Sequence, residues 1–147
     1  MILRPVGLEA CFTLADLHDR AFARPWSAEA FESLLGGPGV FALLGEADEA
    51  KGFILCRSIG GEAEILTLAV DPAARRRGWG AALVEMAAGV AVETGAQVLF
   101  LEVAADNLAA LGLYETSGFT RVGLRRGYYA EADGPKDAVV MRRSLNT

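Results

Sequence analysis

One segment of the chain combines the residue types that hold phosphate. A strand-like apolar run ends at Val70, and a turn rich in arginine and glycine then opens a long alanine-rich helix. The turn reads Arg75-Arg76-Arg77-Gly78-Trp79-Gly80. Backbone N–H groups at a helix start, with glycines that let an anion approach and cations beside them, form an anion-binding site. We therefore expect a ligand that carries a phosphate or pyrophosphate group.

Glu102 is the second residue that could carry chemistry. It is the one charged residue in the run Leu99-Phe100-Leu101-Glu102-Val103, whose apolar character on both faces is typical of a strand buried between helices. A buried carboxylate without a partner is costly, so Glu102 should have a partner or a function. The spacing leaves two interpretations open: an ion pair with one of the clustered arginines, or a general base.

Length and composition predict a single domain over residues 1–147. Of its residues, 52% are hydrophobic, which is enough for one continuous core. The net charge of −5 argues against nucleic-acid binding, because that needs a basic surface. The arginines nevertheless cluster, and local cationic patches on an acidic body suit a small polyanionic ligand and, elsewhere on the surface, a basic partner.

The cysteines and the single histidine predict no metal site. Cys11 and Cys56 lack CxxC spacing and a neighbouring histidine, so we expect a reduced, cytoplasmic protein. His18 stands among Asp16, Asp19 and Arg20, and we expect it at the surface. Neither a signal peptide nor a membrane-spanning segment is expected from the apolar runs.

Periodicity and turn residues divide the chain into an antiparallel first half and a crossover in the second. The predicted elements of the first half are a strand over Ile2–Val6, a helix with apolar positions Leu8, Phe12, Leu14, Leu17 and Ala21, a helix over Ala28–Leu35 and strands over Val40–Leu44, Lys51–Ile59 and Glu62–Val70. Those of the second half are a helix over Gly78–Thr94, a strand over Val98–Val103, a helix over Leu108–Ser117 and strands over Thr120–Tyr128 and Lys136–Leu145. A buried strand after a long helix predicts a parallel crossover, so the fold class is α/β with a mixed, mostly antiparallel sheet flanked by helices.

Two nucleotide-binding motifs fit the glycine turn poorly. A dinucleotide-binding G-x-G-x-x-G pattern would need a third glycine where Leu83 stands, and the strand before the turn follows a hairpin meander. A P-loop would need a Lys-Ser/Thr pair after the turn, which the sequence lacks. A solvated basic turn without a ligand is the remaining alternative.

The order of elements and the turn resemble the GNAT acetyltransferases, whose pyrophosphate loop has the form Gln/Arg-x-x-Gly-x-Gly/Ala. The resemblance covers nearly the whole chain and implies a parallel strand pair that splays around acetyl-CoA. It implies that the backbone of Leu68, Ala69 and Val70 hydrogen-bonds the pantetheine arm. Residues Arg76, Arg77, Gly78, Trp79, Gly80 and Ala81 would wrap the pyrophosphate.

Further segments resemble the RimI type within that family, the N-terminal alanine acetyltransferases of a small-subunit ribosomal protein. These segments are Pro25-Trp26-Ser27, Leu101-Glu102-Val103 with Asn107, Leu113-Tyr114-Glu115 with Gly118-Phe119, and Arg125-Arg126-Gly127-Tyr128-Tyr129 ahead of Asp137-Ala138-Val139-Val140-Met141. The resemblance implies transfer of acetyl from acetyl-CoA to an N-terminal α-amine, with the basic N-terminal segment of a ribosomal protein as the partner.

The resemblance also implies catalytic roles. Glu102 would be the general base for the amine, and Tyr114 would protonate the departing CoA thiolate, although its spacing on a helix also fits a core tyrosine. Asn107 would contact the CoA arm, or only cap a helix. An acetyl-cysteine intermediate is not expected, because neither cysteine has an activating neighbour in the sequence.

For the acceptor side we expect contacts from Trp26, Tyr128 and Tyr129. Trp26 could equally be a core anchor in a structural turn, whereas exposed tyrosines before a Gly-Pro loop are typical of binding. Two rival functions remain: an acetyltransferase for a small amine or a protein lysine, and a non-catalytic acyl-CoA-binding module.

Overall fold

The computed structural model describes residues 1–131 and 134–145, and for residues 129–131, 134 and 135 it describes the backbone alone. The strands are β1 (Ile2–Val6), β2 (Val40–Ala47), β3 (Glu49–Ile59), β4 (Glu62–Val70), β5 (Val98–Ala104), β6 (Thr120–Glu131) and β7 (Gly134–Ser144). The helices are α1 (Cys11–Ala21), α2 (Ala28–Leu35), α3 (Trp79–Glu93) and α4 (Leu108–Thr116), with 3-10 turns over Leu8–Ala10 and Pro72–Ala74. No helix in these ranges is both long enough and apolar enough to cross a membrane.

The strands form one seven-stranded sheet in the order β1-β2-β3-β4-β5-β7-β6. All neighbours are antiparallel except β4 and β5, which are joined through α3 and run parallel. The predicted meander, the crossover and the mixed sheet are therefore confirmed. Among the strands described, β4 and β5 are the one parallel pair, so the expected site between them would lie at this point of the sheet.

Local signals in the sequence set the ends of two short helices. Ser27 caps α2 by accepting a hydrogen bond from the Ala30 N–H at 3.1 Å, and the helix spans the predicted residues. Asn107 caps α4 in the same way, accepting from the Ala110 N–H at 3.2 Å. Each cap satisfies an N–H group that would otherwise lack a partner in the first turn.

The expected apolar face of the first helix was partly wrong. Leu8 lies in the 3-10 turn and is exposed, and Phe12 is 82% exposed. At about 100° per residue, Phe12 stands about 200° from Leu14 and so on the opposite side of α1. The buried stripe of α1 consists of Cys11, Leu14, Leu17 and His18 at helical spacing.

Helices cover the two faces of the sheet unequally. On one face, α3 and α4 pack on the central strands and bury a continuous apolar cluster that includes Leu83, Leu101 and Tyr114. On the other face, α1 and α2 pack on β1–β4 around Phe31 and Phe53. Over β5 this second face carries a cavity of about 470 Å³, lined in part by Phe100, Glu102, Arg125 and Val140.

A β-bulge divides β4. Leu55 pairs with Thr67 and the next residue, Cys56, pairs with Ile65, which leaves Leu66 as an extra residue on β4. Leu66 packs in the cluster under α1 and α2, and Thr67 contacts His18 of α1. Two consecutive side chains thus point to the same face, and the bulge is what turns Thr67 toward α1.

Candidate active site

The parallel pair β4–β5 opens into a gap. Its ladder runs from Glu62↔Val98 to Ile65↔Leu101 and then stops, although β4 continues to Val70 and β5 to Ala104. Each diverging end remains paired on its outer side, β4 with β3 and β5 with β7. Backbone groups of a strand that face such a gap have no strand partner, so they can bind a ligand. Leu68, Ala69 and Val70 lie on this half of β4.

The arginine turn follows directly at the end of β4. Arg76 and Gly78 both have left-handed backbone angles, with φ of 64° and 85°. Gly78 is the N-cap of α3 and offers no side chain to the first-turn N–H groups. Arg75, Arg76 and Arg77 are exposed, and none of them forms an ion pair within the described part of the chain. An uncapped helix start beside three unpaired cations suits the pyrophosphate of CoA.

The side chains of the next two residues serve packing. The Trp79 ring is buried against Gly45, where a Cβ atom would lie 2.9 Å from the ring. A Cβ atom on Gly80 would lie 3.0 Å from Leu113 of α4. Trp79 and Gly80 can therefore contact a phosphate only through their backbone. Sequence reasoning missed these two packing roles, because the partners are distant in the chain.

Glu102 immediately follows the last β5 residue that pairs with β4. Its side chain is 18% exposed and lies in the cavity of the open sheet face. Arg125 of β6 holds it through an ion pair of 3.0 Å between Nε and Oε1. The ion pair that the sequence left open is present, and the carboxylate also borders a solvent-accessible cavity that extends over the paired half of β4 and β5. The pairing with Arg125 does not exclude a role as base.

Tyr114 belongs to the apolar cluster on the opposite face of the sheet. It lies on α4, is 6% exposed and belongs to the same apolar cluster as Leu101 and Val103. Phe119 packs against its ring edge-to-face, with ring centroids 5.6 Å apart. The structure therefore places Glu102 on the open face and Tyr114 on the helix-covered face of the same pair of diverging strands. Asn107 is exposed and caps α4, as described above.

The expected acceptor-side residues fall into two places. Trp26 lies just before α2 and is half-buried, with its ring stacked 5.0 Å from His18. Tyr128 is 51% exposed on β6, and the Arg125 guanidinium lies over its ring at 5.2 Å. Arg125 thus contacts both Glu102 and Tyr128. The side chain of Tyr129 lies outside the described residues.

The surface position expected for His18 is wrong. The residue is 2% exposed, and rings of Phe22, Trp26 and Phe31 lie within 5.5 Å of it. Burial lowers the pKa of His18 from 6.5 to about 4. The charged neighbours in sequence misled the assignment, whereas the helical spacing from Leu14 would have placed His18 on the buried stripe of α1.

The cysteines offer no nucleophile. Cys11 and Cys56 are buried and not in a disulfide, and burial raises the pKa of both thiols. A thiol with a raised pKa has little thiolate at neutral pH, so it reacts poorly with a thioester.

Comparison with known proteins agrees with this geometry. The profile of the acetyltransferase (GNAT) family matches residues 11–119. The [ribosomal protein bS18]-alanine N-acetyltransferase of Escherichia coli K12 is 37% identical over 125 residues, which cover 85% of this chain and 84% of that protein. The enzyme of the same name from Haemophilus influenzae is 32% identical, over 91% of this chain and 93% of that protein.

Solved structures extend the likeness to the backbone. The crystal structure of the ribosomal-protein-S18-alanine N-acetyltransferase from E. coli superposes with a TM-score of 0.91 at 31% identity, over 99% of this chain and 94% of that one. Arabidopsis thaliana NAA60 in complex with acetyl-CoA shares the fold at a TM-score of 0.86 and 21% identity, over 99% of each chain. With the gapped strand pair and the arginine turn in their expected places, the chain belongs to the acetyltransferase (GNAT) family.

Proposed function

We propose that this protein transfers the acetyl group of acetyl-CoA to the α-amine of an N-terminal alanine on a ribosomal protein. The names and the coverage of the curated relatives support this acceptor. The observation that carries the proposal is the gap that opens after Ile65 and Leu101. A carboxylate and a phenol flank that strand pair from opposite faces, and a phosphate-binding turn lies at its end.

The chain's own groups suit the parts of acetyl-CoA. In our proposal the backbone of the turn from Arg76 to Ala81, with its arginines, binds the pyrophosphate. The diverging half of β4, from Leu68 to Val70, hydrogen-bonds the pantetheine arm with its backbone. Asn107 contacts the same arm from the start of α4. The thioester then lies in the gap, between Glu102 and Tyr114.

The proposed reaction is a direct transfer with both substrates bound. Glu102 accepts a proton from the acceptor ammonium, and the neutral amine attacks the thioester carbonyl carbon. A backbone N–H of Ala69 or Val70 polarises the carbonyl oxygen. The C–N bond forms, the C–S bond breaks, and Tyr114 donates its proton to the leaving thiolate. The proton that the nitrogen gives up as the amide forms returns through solvent to the Tyr114 phenolate. Holding both substrates in one gap replaces a collision in solution by a reaction between oriented groups.

In the proposed site, the Arg125 guanidinium and the ammonium group of the acceptor compete for the Glu102 carboxylate. Its guanidinium occupies one oxygen of Glu102 before the acceptor arrives. An incoming ammonium group competes for the same carboxylate, and the Arg125 side chain already lies over the Tyr128 ring, where it can remain. We propose that Tyr128 and Trp26 contact the acceptor on either side of this carboxylate.

An N-terminal amine makes smaller demands on such a base than a lysine does. An α-amine with a pKa of about 8 is roughly one tenth neutral at pH 7, whereas a lysine with a pKa of about 10.4 is neutral only a few times in ten thousand. The net charge of −5 also favours a basic N-terminal segment as the acceptor. Because both cysteines are unpaired in the structure, we propose that the protein works in the cytoplasm.

The test compares two peptides with acetyl-CoA as the donor. One has a free N-terminal alanine followed by basic residues, and the other has a blocked N-terminus and internal lysines. Mass spectrometry locates the acetyl group. Label on the α-amine alone is the expected result. Label on lysine alone, or label only on small amines offered in parallel, would contradict the proposed acceptor while leaving the transfer chemistry.

A peptide that stays unlabelled in every case would contradict catalysis itself. Calorimetric titration with acetyl-CoA then separates a binding module from a protein that binds no acyl-CoA.

A further inference from the structure

The buried imidazole of His18 contacts both the segment proposed to meet the acceptor, at Trp26, and the strand proposed to bind acetyl-CoA, at Thr67. His18 of α1 accepts a hydrogen bond at Nδ1 from the Trp26 N–H, at 3.0 Å. Its Nε2 lies 3.1 Å from the Thr67 hydroxyl oxygen of β4. Because Nδ1 is an acceptor here, a neutral ring carries its proton on Nε2, which therefore donates to Thr67. Both nitrogens are thus used, by partners on two different elements.

The contact at Thr67 lies where β4 leaves β5. The ladder between these strands has ended at Ile65, and the bulge at Leu66 turns Thr67 toward α1. A second side chain of α1, Arg20, forms an ion pair with Asp71 just beyond the end of β4. The two contacts from α1 therefore bracket Leu68–Val70, the stretch for which we propose contact with the pantetheine arm and the thioester.

The contact at Trp26 lies on the acceptor side. Its backbone N–H bonds to His18, and its indole ring stacks on the imidazole at 5.0 Å. Phe31 of α2 packs on both rings. The imidazole therefore sets the position of the segment that enters α2 as well as that of β4.

We infer that His18 is a positioning residue that holds the acceptor-side segment at Trp26 in register with the diverging half of β4. This inference rests on the function proposed above. The ring moves no proton in the reaction, and burial keeps it neutral at working pH. Its two hydrogen bonds are separable, so each should control a different substrate.

Three variants separate the two bonds. In His18→Asn the amide oxygen takes about the place of Nδ1, which keeps the bond from Trp26 and loses the bond to Thr67. In His18→Gln the amide nitrogen takes about the place of Nε2, which keeps the bond to Thr67 and loses the bond from Trp26. Thr67→Val removes the hydroxyl at nearly constant shape and leaves the histidine in place.

The measurement is the full set of steady-state constants for each variant, with acetyl-CoA and with the alanine peptide. For His18→Asn and Thr67→Val we expect a rise of about tenfold in the KM of acetyl-CoA, or an equal fall in kcat, with the peptide KM within about twofold. For His18→Gln we expect the reverse split, with the peptide KM raised about tenfold. The double variant His18→Asn/Thr67→Val should be no worse than the more affected single variant.

A core histidine that only fills space would give a different result. Both His18 variants would then lower the melting temperature and either leave all constants within about twofold or change the same constants in parallel, and that result would overturn the inference. If both His18 variants fail to fold, Thr67→Val decides alone through the KM of acetyl-CoA. If the wild-type protein acetylates no peptide, the proposed function fails, and calorimetric Kd values for acetyl-CoA still test the Thr67 bond.

Discussion

The two faces of the sheet differ in what covers them and in what they can do. The face under α3 and α4 buries an apolar cluster without a charged member, and Tyr114 belongs to it. The other face is covered only over β1–β4, and over β5 it carries a cavity with both arginine and glutamate side chains. Within the described ranges, the two buried polar residues, His18 and Thr67, also belong to this second face.

The difference separates two tasks of the protein. A continuous apolar core packs α3 and α4 on the sheet, so the arginine turn at the start of α3 and the Tyr114 ring on α4 have fixed positions. In the proposed function, the face with the open, charged cavity receives the cationic acceptor, and Glu102 is the carboxylate that meets it. The gap between β4 and β5 connects the two faces, because beyond Ile65 and Leu101 no hydrogen bonds join these strands.

Removing the carboxylate of the open face should have the largest effect. In Glu102→Gln the shape is kept and the base is lost, so we expect kcat with the alanine peptide to fall about 100-fold or more, as is typical for a general base. The calorimetric Kd of acetyl-CoA should change little.

Glu115→Gln is the matched control, because Glu115 is an exposed glutamate that pairs with Arg121 on the surface. Its kcat should stay near that of the wild type. A Glu102→Gln protein with the same kcat as this control would exclude Glu102 as the base.

Acid should lower the free energy of unfolding by protonating His18, which is buried between α1 and the sheet. The folded pKa of about 4 lies below the ordinary 6.5, so between these values the unfolded chain binds a proton that the folded protein does not. The contribution of the neutral ring to the free energy of unfolding is fully present above pH 6.5. This free energy should fall by roughly 2–3 kcal/mol as the pH decreases to about 4.5.

The measurement is urea unfolding at pH 7 and pH 4.5, for the wild type and for His18→Gln. Contributions from the carboxylates are common to both proteins and cancel in the difference. Equal acid sensitivity of the two proteins would show that His18 is not a buried neutral ring.

Adding a side chain on α3 should lower stability at Gly80 more than at Gly89. Gly80 faces Leu113 of α4, whereas a Cβ atom at Gly89 on the same helix meets nothing within 4 Å. We expect Gly80→Val to be less stable than Gly89→Val by about 1–3 kcal/mol, the usual cost of overpacking. Thermal unfolding of both variants measures the difference. Equal melting temperatures would mean that α3 and α4 are not in close contact at this point.

The smallest effect should come from the charges beyond the end of β4. In the double variant Arg76→Ala/Arg77→Ala the backbone cradle remains, so we expect the KM of acetyl-CoA to rise about tenfold at low salt, and less at high salt, with kcat kept. Arg121→Ala removes an arginine that pairs with Glu115 and serves as the control. A KM that does not depend on salt in the wild type would contradict an electrostatic role for the turn.

Short-range patterns in the sequence were sufficient for most of the elements and for the position of the arginine turn between β4 and α3. Ser27 and Asn107 are cap-forming residue types directly before the predicted helices α2 and α4, and β4 spans the predicted residues. The reason is that caps, turns and strand alternation depend on neighbours within a few residues, all of which the sequence displays. The roles of Glu102 and Tyr114 stay predictions. Glu102 follows the last β5 residue that pairs with β4, and Tyr114 lies in the apolar cluster on the other face of the sheet.

Only the tertiary structure decided how these parts are held together. The bond between His18 and Thr67 spans 49 residues, and the bulge that makes it possible is a matter of register between β3 and β4. The pairing of Glu102 with Arg125 likewise depends on the place of β6 in the sheet, beyond β7. Such contacts arise from packing and strand order, so charges next to His18 in the sequence suggested a solvated residue, while the fold made it the link between α1, Trp26 and β4.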